Sequence, residues 1–189
     1  MQVCTPYAKG TARLLAAELA WLAAIGRRAG APDKSKALAA LALKLDPACF
    51  GALFQLAQAA ADEKKPDDAL RLIGQATTLW PGYAAPHLLE GELQTQKGSR
   101  ARAEQAYRAG IAAKLKPYGS EAGFNAECYY RIADLYAPLA QAALKAGSAA
   151  AVGYYKKFNA AILECLKLNP GHPKAAELLK KMGGSITPR

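Results

Sequence analysis

Residues 50–83 read FGALFQLAQAAADEKKPDDALRLIGQATTLWPGY, and the prolines that close this stretch and the one before it, Pro47 and Pro81, stand 34 residues apart. Within the stretch, small residues fall at Ala57, Ala69 and Ala76, and larger ones at Leu53, Leu56 and Ile73. That arrangement suits two antiparallel helices. The small residues sit where the helices approach closest, and the large ones fill the gaps beside them. Pro81 ends the second helix and starts the turn into the next unit. A helix–turn–helix of this length cannot bury its own apolar face, so it must stack on copies of itself.

The same frame runs in both directions. Residues 16–49 carry Leu19, Leu22, Ala23, a turn glycine at Gly30, Ala42 and Pro47. Residues 84–119 carry His87, Gly91, a turn glycine at Gly98, Ala103, Tyr107 and Gly110, with the closing proline two residues late at Pro117. Glu90 departs from the pattern, standing where a leucine is expected; Leu88, Leu89 and Leu93 shift the packing to cover it. A fourth copy occupies 126–172 with Tyr129, Ile132, Ala133 and Tyr136, but its proline comes at Pro170 rather than 157, leaving 13 extra residues. Ala-rich sequence on both sides of Gly147-Ser148 predicts that both helices are lengthened by about two turns. Ser148 is expected to cap the second of them and Pro138 to kink the first. Residues 173–182 form a capping helix with a polar outer face, and 183–189 a disordered tail. The expected fold is all-α: a right-handed superhelical solenoid of about four repeats and about nine helices, forming one domain over 1–182.

The pattern resembles the tetratricopeptide repeat, over nearly the whole chain from Ala16 to Met182. The resemblance implies a binding function rather than catalysis, on an inner groove lined by first-helix residues. At one groove position the repeats carry Phe54, Leu88 and Tyr130; at another, Gln58, Glu92 and Asp134. An apolar stripe beside a polar-to-acidic one suits an extended peptide or a partner helix. The alternative is that Phe54, Leu88 and Tyr130 are core between repeats. Some members of the family clamp a chaperone's C-terminal carboxylate with five residues. Only Arg131 matches that set; Phe54, Gln58, Leu89 and Glu127 stand at the other places, and Glu127 would repel a carboxylate, so this partner is disfavoured.

The net charge of +10 is uneven, with basic ends and a basic third repeat. Lys97, Arg100, Arg102, Arg108, Lys114 and Lys116 would suit a phosphate strip. They fall on the turn and second helix of that repeat, however, where charge commonly serves solvation, and no aromatic residues interleave for base stacking. Nucleic acid therefore ranks third as a partner. Cys4, Cys49, Cys128 and Cys165 form no close pairs with each other or with histidine, so neither a metal nor a cofactor is expected. Buried structural thiols and a reducing, cytoplasmic compartment fit better. Leu14–Ile25, following Lys9 and Arg13, mimics a leader peptide, which would make the protein extracytoplasmic. Glu18 interrupts that run, and the same residues satisfy the first repeat helix. Nothing reaches the roughly 20 apolar residues of a membrane span.

No catalytic motif is present. His87 and Glu90 share a helix face, yet His87 falls at a core position. Tyr129, Tyr130, Tyr136, Tyr154 and Tyr155 cluster in the lengthened repeat. They either line a small-ligand pocket, which makes a ligand carrier the second functional reading, or simply pack two long helices. Self-association through ends or grooves is compatible with either.

Overall fold

The computed structural model describes residues 5–116 and 121–183, with side chains from Gly10 onward. Pro117, Cys4 and the tail residues 184–189 lie outside the described residues. Among the described residues there are nine helices: α1 (Thr5–Arg28), α2 (Pro32–Leu45), α3 (Phe50–Asp62), α4 (Pro66–Leu79), α5 (Ala84–Gln96), α6 (Arg100–Ala112), α7 (Glu121–Lys145), α8 (Ala150–Leu168) and α9 (Pro173–Lys181). They are joined as successive antiparallel pairs, an all-α helical repeat. The chain divides into two compact units, residues 1–82 and 83–189.

In the N-terminal unit α1 pairs with α2 and α3 with α4, and α3 packs against both members of the first pair. The cluster that joins α1, α2 and α3 is centred on small residues, Ala16, Ala20, Ala23, Ala39, Ala42, Cys49 and Ala52, with leucines such as Leu19, Leu38 and Leu56 packed against it; Leu53 and Ile73 are buried in the second pair. The small residues let the helix backbones approach closely, and the leucines fill the space beside them. In the C-terminal unit α5 pairs with α6, α7 with α8, and α9 closes against α7 and α8. Here the core is larger, with Tyr107, Ile132, Phe158, Ile162 and Leu179 among its members. Ala84 donates its amide to the Leu115 carbonyl at 2.9 Å, tying the start of α5 to the segment after α6.

The four repeat turns share one hydrogen-bonding scheme. After α1, the amides of Gly30 and Ala31 donate to Arg27 and Gly26; after α3, those of Lys64 and Lys65 to Ala61 and Ala60. After α5, Gly98 and Ser99 donate to Thr95 and Gln94; after α7, Gly147 and Ser148 to Leu144 and Ala143. This double bond satisfies carbonyls that a helix end leaves open, and it requires a left-handed residue at the turn. Gly30, Gly98 and Gly147 supply that conformation with φ of 75, 73 and 62°. In the second repeat Lys64 supplies it instead, at φ 59°. A side chain there crowds the backbone by about 1 kcal/mol relative to glycine. Lys64→Gly is therefore expected to stabilise the chain by about 1 kcal/mol, read as a higher urea midpoint with unchanged slope. A lower midpoint would mean that the lysine side chain holds the turn.

Two expectations need correction. Helices α1 and α7 begin at Thr5 and Glu121, well before the repeat frame; the frame marks packing positions, and a helix extends past them until its backbone is broken. Leu22, at a position that is apolar in the repeat, is 48% exposed, because α1 turns only its Ala16–Ala20–Ala23 stripe inward. Within the repeat frame α7 runs from 126 to 145 and α8 has 19 residues, against 13 each for α5 and α6, so each helix of the fourth repeat is longer by about two turns. Ser148 Oγ accepts the Ala150 amide at 3.3 Å and so serves the start of α8, while Pro138 sits inside α7, which continues through it.

Candidate functional site

Two of the seven residues read from the sequence lie in the N-terminal unit, both on α3. Phe54 is half-buried and stacks on Phe50, with ring centroids 5.9 Å apart and planes 8° from parallel. Gln58 Oε1 is buried with no hydrogen-bond partner among the described residues. An amide oxygen left in that state is costly and retains its capacity to accept.

The other five lie in the C-terminal unit, Leu88 and Glu92 on α5 and Tyr130, Arg131 and Asp134 on α7. Arg131 organises them. Its guanidinium reaches Glu92 Oε1 through Nη2 and Glu127 Oε1 through Nε, each at 2.7 Å. The second Glu127 oxygen lies 3.1 Å from His172 Nε2. His172 Nδ1 accepts the Ala175 amide at 3.2 Å, so the proton sits on Nε2, which donates to Glu127. The chain Glu92–Arg131–Glu127–His172 thus links α5 to α7 and α7 to the first turn of α9. Burial raises the Glu92 carboxyl above the usual carboxylate range, opposed by Arg131 and reinforced by Glu127. Burial pulls Arg131 down, but Glu92 and Glu127 outweigh it and hold the guanidinium above its ordinary value.

Tyr130 occupies the middle of this face. Its ring lies 5.0 Å from the His172 ring, centroid to centroid, with the Arg131 guanidinium 6.0 Å away. Burial raises its phenol, helped by the carboxylates of Asp134, Glu127 and Glu177 and opposed by Arg131. Lys181 is paired with Glu177 at 2.9 Å. Asp134 is exposed and has no ion pair among the described residues.

The remaining tyrosines hold helices together. Tyr136 donates to Glu104 of α6 and receives Lys157 Nζ of α8 at 2.8 Å. Glu104 is also gripped by Arg108 at 2.7 and 3.0 Å. Tyr154 stacks on Tyr136 at 6.2 Å, and Tyr155 donates to the Met182 carbonyl while its ring meets Phe158 edge-on. The basic residues of the third repeat are likewise dispersed. Lys116 donates to the Gly110 and Ile111 carbonyls at 2.8 and 2.6 Å, and Arg102 lines a cavity of about 410 Å³ with His87, Glu90, Gln94 and Gln105. In that cavity His87 Nδ1 lies 3.7 Å from Glu90 Oε2. Among the described residues no group of three metal-ligating side chains is assembled, and no helix is long and apolar enough to cross a membrane.

No protein-family model and no curated protein matches the chain. Solved structures do. A crystal structure of a MamA protein aligns with a TM-score of 0.68 at 17% identity, over 92% of this chain and 81% of that one. PilF of Pseudomonas aeruginosa aligns with 0.69 at 18%, over 92% and 70%. YrrB, described as a TPR protein with an unusual peptide-binding site, aligns with 0.55 at 12%, over 86% and 90%. The chain has the tetratricopeptide-repeat fold.

Within a tetratricopeptide-repeat fold α5, α7 and α9 stand as successive first helices, and the network through Arg131 runs across all three. Reading the sequence missed Glu127 and His172. Glu127 was findable, four residues before Arg131 on one helix; His172 was not, because capping by imidazole is uncommon beside Ser, Thr, Asp and Asn. The cysteines Cys49, Cys128 and Cys165 are buried free thiols. Burial pushes Cys128 up to about 12 and Cys165 up to about 11. Both are expected to resist iodoacetamide at about pH 8 in the folded chain and to label in urea, as followed by peptide mass spectrometry. Labelling in native buffer at the unfolded rate would show that the core of the C-terminal unit opens.

Proposed function

We propose that the protein is a non-catalytic scaffold that binds an extended peptide or partner helix on the first-helix face of its C-terminal unit, and that the bound segment carries a basic side chain. Leu88 and Tyr130 offer apolar contact there; Glu92, Arg131 and Asp134 set the polarity. The observation that carries this reading is the environment of Tyr130. Arg131 is committed to Glu92 and Glu127, and Lys181 to Glu177, so Asp134 is the exposed carboxylate beside the ring that makes no ion pair among the described residues, although it lies within electrostatic reach of Lys181. An aromatic face next to an exposed carboxylate that makes no ion pair is chemistry suited to a lysine or arginine. Phe54 and Gln58 provide a second, separate contact surface on the N-terminal unit.

The small-ligand reading has less support, because Tyr136, Tyr154 and Tyr155 are occupied in bracing α6, α7, α8 and the end of α9. The nucleic-acid reading has less support, because Arg108 is held by Glu104 and Lys116 by the Gly110 and Ile111 carbonyls.

The reading is tested by panning a random peptide display library on the purified chain. Recovered peptides are expected to be enriched in lysine or arginine next to an apolar anchor. Tyr130→Ala and Asp134→Asn are each expected to weaken a recovered peptide by about tenfold or more, with helicity unchanged by circular dichroism. Recovery of peptides without basic residues, or of binders indifferent to both substitutions, would overturn it.

A further inference from the structure

Helix α1 turns a second apolar stripe away from the core. Leu14, Trp21 and Ile25 are 72, 52 and 44% exposed, and Leu15 and Leu22 flank them. They lie opposite the buried stripe of Ala16, Ala20 and Ala23. Large apolar side chains gathered on one outward helix face mark an interaction surface. Leu14, Glu18, Trp21, Ile25 and Arg28 follow one another at alternating spacings of four and three, the seam spacing by which two helices pack knobs into holes. The seam contains both charges of a complementary pair, Glu18 and Arg28.

The position of those charges selects the occupant. Set two copies of α1 antiparallel about a two-fold axis level with residue 23. Trp21 then falls opposite Ile25 of the second copy, and in the same register Glu18 falls opposite Arg28. One register satisfies the apolar layer and the ion pair together, and the two-fold repeats both. An isologous contact of this kind is self-complementary and closes at two subunits. A membrane surface would take the same leucines and tryptophan, but it would have to accept Glu18 in the middle of the buried stripe, where a carboxylate is costly. We infer that the outward face of α1 is a self-association surface, and that the chain pairs through antiparallel α1 helices with Trp21 against Ile25 and Glu18 against Arg28. This surface is independent of the peptide-binding face.

Charge reversal tests the register. The wild-type chain is expected to sediment as a concentration-dependent dimer. Glu18→Arg sets arginine against arginine and Arg28→Glu sets glutamate against glutamate, so each variant alone is expected to dissociate at least about tenfold more readily. An equimolar mixture of the two is expected to recover wild-type association, because both cross-pairs are restored in a heterodimer; a parallel pairing already sets Glu18 against Glu18 and Arg28 against Arg28 in the wild type, so it predicts no weakening by either single reversal. All of these side chains are exposed, and circular dichroism confirms that the variants fold. A wild type that stays monomeric at about 100 μM, a concentration well above ordinary association constants, would overturn the proposal. So would a dimer unaffected by either reversal, or failure of the mixture to re-associate. Sedimentation of a monomeric chain with phosphatidylserine–phosphatidylcholine vesicles, lost on Trp21→Ala, would overturn it in favour of a lipid surface.

Discussion

Gly91→Ala is expected to destabilise the chain by about 3 kcal/mol, against the usual sign of a helical glycine-to-alanine change. In a helix interior alanine is ordinarily better than glycine by about 1 kcal/mol. At Gly91 a Cβ would lie 2.3 Å from Tyr107 Cε1 and 2.5 Å from its Cδ1. No real Cβ contact is that short, and Tyr107 has little room to yield. It is 2% exposed, burial pushes its phenol up to about 12, and its hydroxyl is bonded to Thr95 at 3.1 Å. Gly74, in the interior of α4, has nothing within 4 Å of its Cβ position. Gly74→Ala is therefore expected to stabilise by about 0.5–1 kcal/mol. Urea unfolding of the two variants side by side checks the argument, since equal shifts of either sign would remove it. Tyr107→Leu placed on Gly91→Ala should recover much of the loss, and the double-mutant cycle isolates the clash from propensity.

Arg131→Ala is expected to cost about 2 kcal/mol at neutral pH, with most of the loss disappearing as Glu92 protonates. Removing the central cation of a buried network leaves its partners uncompensated, at about 3–5 kcal/mol when fully buried. The side chains of Arg131, Glu92 and Glu127 are about a third exposed, so the smaller figure applies. The pH dependence follows from Glu92. Its folded-state affinity for a proton is raised by burial, so stability falls as pH rises through the carboxylate range, and falls further without the arginine. Below about pH 4, where an ordinary glutamate is protonated, the variant and the wild type should converge. A gap independent of pH would show that Arg131 acts through packing alone. Glu92→Gln added to Arg131→Ala should narrow the gap at pH 7.

How far the chain could be read in advance depended on the range of the interactions. The 34-residue period and the small residues Ala57, Gly91 and Ala133 exposed the helix pairs, because tight packing excludes larger side chains wherever it occurs. The turn glycines Gly30, Gly98 and Gly147 were legible for the same reason, while Lys64 hid a fourth turn of the same kind behind an unsuitable side chain. Leu22 read as core because the pattern records apolarity and not which neighbour is present. Of the candidate face, the repeat frame places Leu88 and Glu92 on one helix and Tyr130, Arg131 and Asp134 on another, which are α5 and α7. That Arg131 is clasped by two carboxylates was not legible, since its Glu92 contact joins helices 39 residues apart in sequence.

The shared turn scheme also sets a tempo. Each of the four turns is closed by bonds reaching no more than five residues back, and each helix pair finds its partner immediately across that turn. Little chain has to be gathered before contact repays the lost freedom, which favours folding on a microsecond-to-millisecond scale. The α7–α8 hairpin, with the longest helices and a glycine at its bend, is then the natural seed of the C-terminal unit, on which α6 and α9 settle. The α3–α4 hairpin starts more slowly, since its lysine must first be driven into a left-handed bend.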